Sequence, residues 1–335
     1  MMADKADQPD DSKDMQNTQD TQDTQDTQQS RKPGQEDAAL EVRPARPEDR
    51  DAVLAFCAHT WDDGDYIADA WDEWLRDQQD QRSALLVGLL DGKPVAINHV
   101  VMVSEDETWL EGMRVDPAYR RMGFGGVMAS RGLVVSREHG AQVARLITAA
   151  DNLASQGMIA RFGFVRVAEM VRYRGPALPT DENVEDLASL THPGPDDLDR
   201  IWAWLEQSNL APLTGGLEYH DWQARALTEP LLRDYLAAEQ VRLIEEWGAI
   251  QSLAILSPRM EAHGWHELST LPVRYVDGLA DSVGRLGLAL RAEAAATQCD
   301  RVELWLPDLL ILRDAMAGAG YEADDETMLV FAREL

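Results

Sequence analysis

The residues from Arg120 to Gly126 have the types and the spacing of an anion-binding loop. Arg120, Gly123, Gly125 and Gly126 follow the turn Asp116-Pro117 and open a predicted helix. Glycines let backbone amides crowd around an anion, and a helix N-terminus adds partial positive charge. The loop lacks the Lys-Ser/Thr pair of a P-loop and the spacing of a dinucleotide fingerprint. We therefore predict a pyrophosphate-binding loop of another kind, the alternative being a tight turn that only needs positive φ.

Strands and helices alternate around this loop. A predicted strand over Thr108–Val115 precedes it and a predicted helix over Gly126–His139 follows it. Asp91-Gly92 is a hairpin signal between predicted strands at Ser83–Leu90 and Pro94–Ser104. Apolar periodicity predicts five more elements before residue 176. They are strands at Leu40–Arg43, Val143–Ala149 and Val165–Arg174, and helices at Pro47–Phe56 and Leu153–Arg161.

The second half of the chain repeats this order. Both halves end their last predicted helix with a glycine-aromatic pair, Gly163-Phe164 and Gly320-Tyr321. We infer a duplicated mixed α/β domain. The predicted segments are a disordered acidic tail at 1–39, a first domain at 40–176, a linker at 177–184 and a second domain at 185–335. The elements predicted in the second domain are strands at Glu185–Leu190, Val241–Glu246, Ile250–Ser257, His266–Val273, Arg301–Leu306 and Glu326–Arg333, helices at Asp197–Gln207, Leu279–Thr297 and Leu309–Ala319, and an amphipathic stretch at Leu217–Ala238.

Composition narrows the classes of protein. A formal net charge of -29 over 335 residues leaves no broad cationic surface for nucleic acid. Cys57 and Cys299 are too few for a disulfide framework, and no apolar run is long enough to span a bilayer. We expect a soluble cytoplasmic protein without nucleic-acid or membrane partners. The acid-rich, lysine-poor composition fits adaptation to high salt, with a GC-rich genome or a plain acidic enzyme as alternatives.

The order of strand, turn, arginine, glycines and helix resembles the GNAT acyl-CoA N-acyltransferase superfamily. Its signature (Arg/Gln)-x-x-Gly-x-(Gly/Ala) is matched by Arg120, Gly123 and Gly125, and Asn152 and Gly163-Phe164 follow at the usual separations. The resemblance covers about residues 40–175. It implies tandem GNAT folds, each an α/β domain with a mixed, largely antiparallel central sheet flanked by helices, the second copy degenerate.

The resemblance also implies acetyl-CoA as co-substrate. The amides of residues 121–126 would hold the pyrophosphate, and the backbone of Met113 and Val115 would hold the pantetheine and thioester. The cofactor-binding residues implied in this way are Met113, Arg114, Val115, Arg120, Arg121, Met122, Gly123, Phe124, Gly125, Gly126 and Asn152.

Glu111 is the predicted general base. Alternation along the strand puts Glu111, Met113 and Val115 on one face, so Glu111 would lie beside the thioester and accept the ammonium proton. The alternative is a solvated or salt-bridged glutamate. The Met113 N–H is predicted to stabilise the oxyanion.

The predicted site lacks the usual general acid. Many GNAT relatives carry a tyrosine seven residues after the asparagine matched by Asn152, where it protonates the departing thiolate. Ile159 occupies that position here. Either water protonates the thiolate, or another hydroxyl does, with Tyr173 and Ser155 the nearest in sequence.

Acidic and aromatic residues between Trp61 and Leu75 are candidates for the acceptor site. Asp65, Tyr66 and Trp74 are the predicted substrate-binding residues, because carboxylates and aromatic rings attract an ammonium group. The alternative is an exposed acidic helix with its tryptophans in the core. Four short stretches, beginning at Ala45, Gly64, Trp74 and Leu110, are similar to the vertebrate histidine N-acetyltransferase group, which implies the α-amine of an amino acid such as histidine.

The second half lacks the arginine-glycine loop, so we expect it to have lost CoA and to buttress the first half, shape the acceptor pocket or form a homodimer. The pair His263 and His266 has no third ligand nearby, so no metal is expected. The sequence thus predicts an acetyl-CoA-dependent N-acetyltransferase acting on a small-molecule amine. The alternative is a non-catalytic acyl-CoA-binding or interaction protein on the same scaffold.

Overall fold

A long mixed sheet runs through the folded part of the protein in this computed structural model, which describes residues 39–58, 60, 64–80, 82–179, 187–261 and 268–335. The predicted tail up to residue 38, most of the predicted linker, and His263 and His266 lie outside these ranges. The strands are β1 Glu41–Pro44, β2 Ser83–Leu90, β3 Lys93–Met102, β4 Glu107–Val115, β5 Val143–Ala149, β6 Val165–Pro176, β7 Leu217–His220, β8 Gln223–Ala226, β9 Val241–Glu246, β10 Ala249–Leu256, β11 Thr270–Gly278, β12 Arg301–Pro307, β13 Glu322–Ala323 and β14 Met328–Glu334. The helices are α1 Arg50–Cys57, α2 Ile67–Asp77, α3 Phe124–Glu138, α4 Leu153–Arg161, α5 Leu198–Leu205, α6 Glu229–Ala237, α7 Ala280–Ala296 and α8 Leu310–Gly318.

The two halves exchange their last strands. The sheet order is β1-β2-β3-β4-β5-β14-β6-β12-β11-β10-β9, with β13 also pairing with β6. The C-terminal β14 pairs with β5 of the first half from Met328↔Ala149 to Glu334↔Val143. In return β6 of the first half pairs with β12 of the second. The predicted fold class, tandem mixed α/β repeats, is confirmed, and one sheet joins the repeats.

Each half contains a gap between two parallel strands. Pairing of β4 with β5 covers only Glu107–Trp109 and Val143–Arg145, although β4 continues along β3 to Val115. In the second half, β11 pairs with β12 only over Thr270–Val273. Backbone groups beyond these points face a V-shaped opening instead of a neighbouring strand.

Helices cover both faces of the sheet. On one face, α3 and α4 pack Met128, Leu133 and Ile159 on the strands of the first half. On the other face, α1 and α2 bury Val53 and Trp71. The hairpin β7–β8 lies on this second face, in a cluster that includes Trp109 of β4 and Trp305 of β12. The hairpin therefore bridges the two halves. In the described part of the chain, no helix is long and apolar enough to cross a membrane.

Several predicted boundaries differ from the structure. The amphipathic stretch Leu217–Ala238 is a hairpin followed by α6, because Thr228 accepts a hydrogen bond from the Leu231 amide and caps the helix there. The strand predicted at His266–Val273 is Thr270–Gly278. No strand is present at 187–190, the described part of the predicted Glu185–Leu190.

The second copy lacks the anion-binding loop. Residues 116–123 separate β4 from α3, whereas Leu279 alone separates β11 from α7. Asp281 also places a carboxylate in the first turn of α7, where it would repel a phosphate.

Candidate active site

The loop before α3 presents backbone amides to open space. Arg121 and Gly123 have left-handed φ values of 64° and 86°, and Gly123 is the N-cap of the helix. The first intrahelical bonds run from Gly126 and Val127 to the Gly123 carbonyl. The amides of Gly123, Phe124 and Gly125 therefore precede the hydrogen-bonded turns and lie at the helix N-terminus. A Cβ on Gly123 would meet nothing within 4 Å.

The loop adjoins the gap between β4 and β5. Buried Phe124 anchors the first turn of α3, while Arg120, Arg121 and Met122 are exposed. A Cβ on Gly125 would lie 3.3 Å from Met158 Sδ and 3.9 Å from a Val115 methyl group. The structure thus brings the predicted loop together with the end of β4, as a cofactor with both a pyrophosphate and a pantetheine arm would require.

A bulge at Gly112 corrects the predicted alternation of β4. Gly112 has a φ of 64°, and the β3–β4 register shifts between Ile97 and His99. The extra residue reverses the side-chain pattern. Met113 and Val115 pack toward α3 and α4, whereas Glu111 points to the opposite face. The prediction that these three side chains share one face is wrong.

Glu111 is held by partners from two other elements. His99 Nδ1 of β3 lies 2.8 Å from Glu111 Oε1, and Gln223 Nε2 of β8 lies 3.3 Å from both carboxylate oxygens. His99 Nε2 is buried and has no partner in the described part of the protein, so the tautomer with its proton on Nδ1 donates this bond. Trp74 stacks on the His99 ring at 4.4 Å and 17°. Glu111 keeps 14% of its side chain exposed.

Arg114 and Asp65 form a buried ion pair. Arg114 Nε and Nη2 lie 2.8 and 3.3 Å from the two oxygens of Asp65, and Asp65 also accepts from the Ile67 amide. The Arg114 guanidinium therefore faces α2, across β4 from Met113. This placement differs from the prediction that Arg114 serves the cofactor and Asp65 the acceptor. The pair instead fixes the start of α2 against β4.

Tyr66 and Trp74 lie beside this ion pair. The Tyr66 ring is 5.4 Å from the Arg114 guanidinium carbon and 5.9 Å from the Trp74 ring. Burial and the charge of Glu111 raise the pKa of the Tyr66 phenol above its ordinary value. Trp74 is buried, which agrees with the alternative that it is a core residue. It also contacts the candidate site, because its ring packs on His99 and under Gly112. Asp62 and Asp63 lie outside the described residues.

Three further positions from the sequence analysis are Asn152, predicted to bind the cofactor, Ile159, where the acid tyrosine is missing, and Tyr173, a candidate for its replacement. Asn152 caps α4, its side-chain oxygen accepting from the Ser155 amide at 3.1 Å. Ile159 is buried in the cluster with Met113 and Val115. Tyr173 packs in the core of the second half, where burial raises the pKa of its phenol.

The second half contributes side chains that the sequence analysis missed. The turn Asp221-Trp222 lies at the tip of the hairpin β7–β8, next to Gln223. Burial and the nearby Glu303 raise the pKa of Asp221 to about 6. Asp221 has a positive φ, which aspartate tolerates, but the sequence Asp-Trp is not a usual hairpin turn, and its position near Glu111 depends on tertiary packing.

Comparisons with known proteins agree with this architecture. Residues 49–164 match the profile of the acetyltransferase (GNAT) family. A GCN5-related N-acetyltransferase from Sphaerobacter thermophilus is similar over 88% of this chain and 95% of its own, with 17% identity and a TM-score of 0.56. A structure described as an acetyltransferase from Thermoplasma acidophilum is similar over 88% of this chain and all of its own, with 16% identity and a TM-score of 0.53. No curated protein was found to match the chain.

These likenesses span both halves, so the tandem arrangement also occurs in other chains of similar size. At such identities they show the fold. The profile match covers the strand, loop and helix described above. Residues 49–164 of this chain are therefore similar to a GNAT-type acetyltransferase domain.

Proposed function

We propose that this protein transfers the acetyl group of acetyl-CoA to the primary amine of a small molecule at Glu111. The observation that carries the proposal is the position of Glu111. It lies on β4 at the opening between β4 and β5, two residues from Met113, and partners from β3 and β8 orient it.

The loop residues and the gap support the acetyl-CoA part of the proposal. The amides of residues 121–125 and the exposed guanidinium groups of Arg120 and Arg121 offer donors to a pyrophosphate. Beyond Trp109, β4 pairs only with β3, and its backbone groups on the side of β5 offer donors and acceptors to an amide-containing arm.

The proposed reaction is direct attack on the thioester. Glu111 takes a proton from the acceptor ammonium, and the amine nitrogen then forms a bond to the acetyl carbonyl carbon. The Met113 N–H meets the oxyanion of the tetrahedral intermediate. The carbon–sulfur bond breaks and the attacking nitrogen releases its remaining surplus proton to water, which leaves a neutral amide. Water protonates the thiolate because Ile159 supplies no hydroxyl.

The acceptor is an amine that approaches from the face of Glu111, opposite the side chains of Met113 and Val115. The α-amine of an amino acid such as histidine is the acceptor that the sequence resemblance suggests. It belongs in the first panel of compounds, with other amino acids and simple amines.

An amine panel tests the proposal. Thiol release from acetyl-CoA and mass spectrometry of the products should identify an acetylated amine. Glu111→Gln should lower kcat by about 10²-fold or more while acetyl-CoA binds as before, because only proton transfer is lost. Glu105→Gln, an exposed glutamate before β4, is the matched control and should keep wild-type rates. Acetyl-CoA binding without thiol release from any amine would reject the proposal in favour of a binding protein.

A further inference from the structure

We infer that the second half completes the acceptor site through Asp221, and that the acceptor carries a second positively charged group that binds this carboxylate. The inference rests on the proposed function, because it names the class of amine that the site at Glu111 accepts. Asp221 would be a specificity-determining residue supplied by the copy that lacks the anion-binding loop.

The hairpin β7–β8 is fixed against β4 along its length. The Ala226 amide donates to Glu107 Oε2 at 3.0 Å, and Arg225 donates to the Val103 carbonyl at 3.0 Å. Nearer the tip, Gln223 reaches Glu111. The turn Asp221-Trp222, at the tip of the hairpin, therefore lies on the side of β4 that carries Glu111.

Asp221, whose side chain is partly exposed at this tip, has one buried carboxylate oxygen without a hydrogen-bond donor in the described part of the chain. Its backbone carbonyl accepts from Trp305 Nε1 at 3.0 Å, which fixes the turn in a left-handed conformation with φ of 52°. Its Oδ1 atom is fully buried and has no partner among the residues that the structure describes. A buried carboxylate oxygen without a donor is costly, so such a group points to a ligand that supplies one.

The neighbouring arginines are already matched by other acids. Arg172 lies 2.9 Å from Asp324 and 3.7 Å from Glu303, and Arg174 lies 3.0 Å from Glu303. Two guanidinium groups thus share two carboxylates in this cluster. Asp221 adds a further negative charge to this cluster. In the described part of the chain, no cation forms an ion pair with it.

Glu111 is the second carboxylate of this region without a cationic partner of its own, since its contacts are a histidine and a glutamine. Gln223, two residues after Asp221 on the same hairpin, contacts Glu111, so the two carboxylates lie in one region. An acceptor that brings its reacting amine to Glu111 and a second basic group to Asp221 would satisfy both. A simple monoamine would leave Asp221 unpaired.

Paired probes test the inference. The first measurement is kcat/KM for 1,4-diaminobutane and for 1-aminobutane with acetyl-CoA, in the wild type, Asp221→Asn and Asp234→Asn. We expect the wild type to prefer the diamine by at least about tenfold, and Asp221→Asn to lose most of that preference by acting on KM. Asp234→Asn removes an exposed acid from α6 in the same half and should keep the preference.

A binding measurement separates this inference from the proposed function. The diamine should raise the Tm of the wild-type protein loaded with CoA more than the monoamine does, and should lose this advantage in Asp221→Asn. This result would stand even if no amine were acetylated, which would reject only the proposed reaction. Equal turnover and equal stabilisation by the two probes would overturn the inference, as would a diamine preference that survives in Asp221→Asn.

Discussion

At the scale of single residues, Asp221 is held in an energetically unfavourable conformation and environment close to the candidate acceptor site. Asp221 combines a left-handed backbone with a buried carboxylate oxygen that lacks a donor. Such states persist only where the surrounding structure enforces them, and they concentrate at binding sites. The Trp305 indole and the β7–β8 pairing supply that enforcement here. At this position binding and stability should therefore oppose each other.

Asp221→Asn should stabilise the protein at alkaline pH. Burial, Glu303 and Glu111 raise the pKa of Asp221 from 3.8 to about 6, while Arg172 and Arg174 act in the opposite direction. A raised carboxyl pKa means that the folded state loses stability as the pH rises from about 4 to about 6, and that the loss is complete above pH 6. The shift corresponds to about 3 kcal/mol of unfolding free energy.

The measurement is Tm as a function of pH for the wild type and Asp221→Asn without acceptor. The variant should melt several degrees higher at pH 8 and at the same temperature near pH 4. A variant that melts lower at pH 8 would show that Asp221 has a stabilising partner.

Glu111 could be singled out from the sequence, but the groups around it could not. The strand pattern identifies β4, yet a bulge is set by close packing, here the approach of Gly112 to the Trp74 ring. That one residue moves Glu111 and Arg114 to the face of α2. The Arg114–Asp65 pair joins residues 49 positions apart, so local spacing carries no sign of it.

At the scale of elements, the candidate site of the first half is built from β4, the loop that follows it and α3. The loop between β4 and α3 ends in Gly123, which has a left-handed φ and is the N-cap of α3, so that the first amides of the helix have no intrahelical partner. The second half connects β11 to α7 through Leu279 alone. The same pair of elements therefore carries a candidate anion-binding loop in one copy and lacks that loop in the other.

Gly123→Ala should weaken acetyl-CoA binding beyond its effect on stability. A Cβ on residue 123 would meet nothing within 4 Å, so the substitution causes no steric clash. The positive φ costs an alanine about 1 kcal/mol, and relaxation of the loop to relieve this strain would displace its amides. Gly140→Ala is a matched control, because Gly140 also has a positive φ, of 89°, and nothing within 4 Å of a Cβ.

Calorimetry of acetyl-CoA binding and thermal melts compare the two variants. Both should lose similar Tm, and only Gly123→Ala should lose affinity, by about tenfold. Equal affinities in the two variants would argue against the loop as the pyrophosphate site.

Most elements were predictable because their periodicity is local. β2, β5, β9 and α4 match their predicted bounds, since each is a short apolar run or an amphipathic turn between clear breaks. The stretch from Leu217 was misjudged because its alternation continues into a helix without glycine or proline before Thr228. Its hairpin form is stabilised by Trp109 and Trp305 from distant strands.

At the scale of the whole molecule, the repeats are interlocked. β14 completes the sheet of the first half, and β6 completes that of the second. Hydrophobic periodicity reveals the duplication, but it cannot reveal which copy a terminal strand joins, because both copies present equivalent edges. The predicted division into domains at 40–176 and 185–335 thus remains a proposal about repeats.

Neither repeat should fold alone. Residues 40–179 expressed without β14 leave β5 and β6 without a shared neighbour, and residues 187–335 without β6 expose the edge of β12. We expect each fragment to aggregate, and the two co-expressed fragments to purify together in a 1:1 complex with thiol-releasing activity. Co-purification and circular dichroism are the measurements. A soluble, folded fragment of residues 40–179 would contradict this expectation.

The exchange of strands also sets the order of events during synthesis. Met328 pairs with Ala149, 179 positions earlier, so roughly ten to forty seconds of translation separate the two strands. Until β14 has left the ribosome, the first repeat carries an open central edge and cannot close its sheet. A nascent chain of this design waits for a strand made long after its partner, and its exposure to chaperones and proteases is longest in the half with the candidate active site.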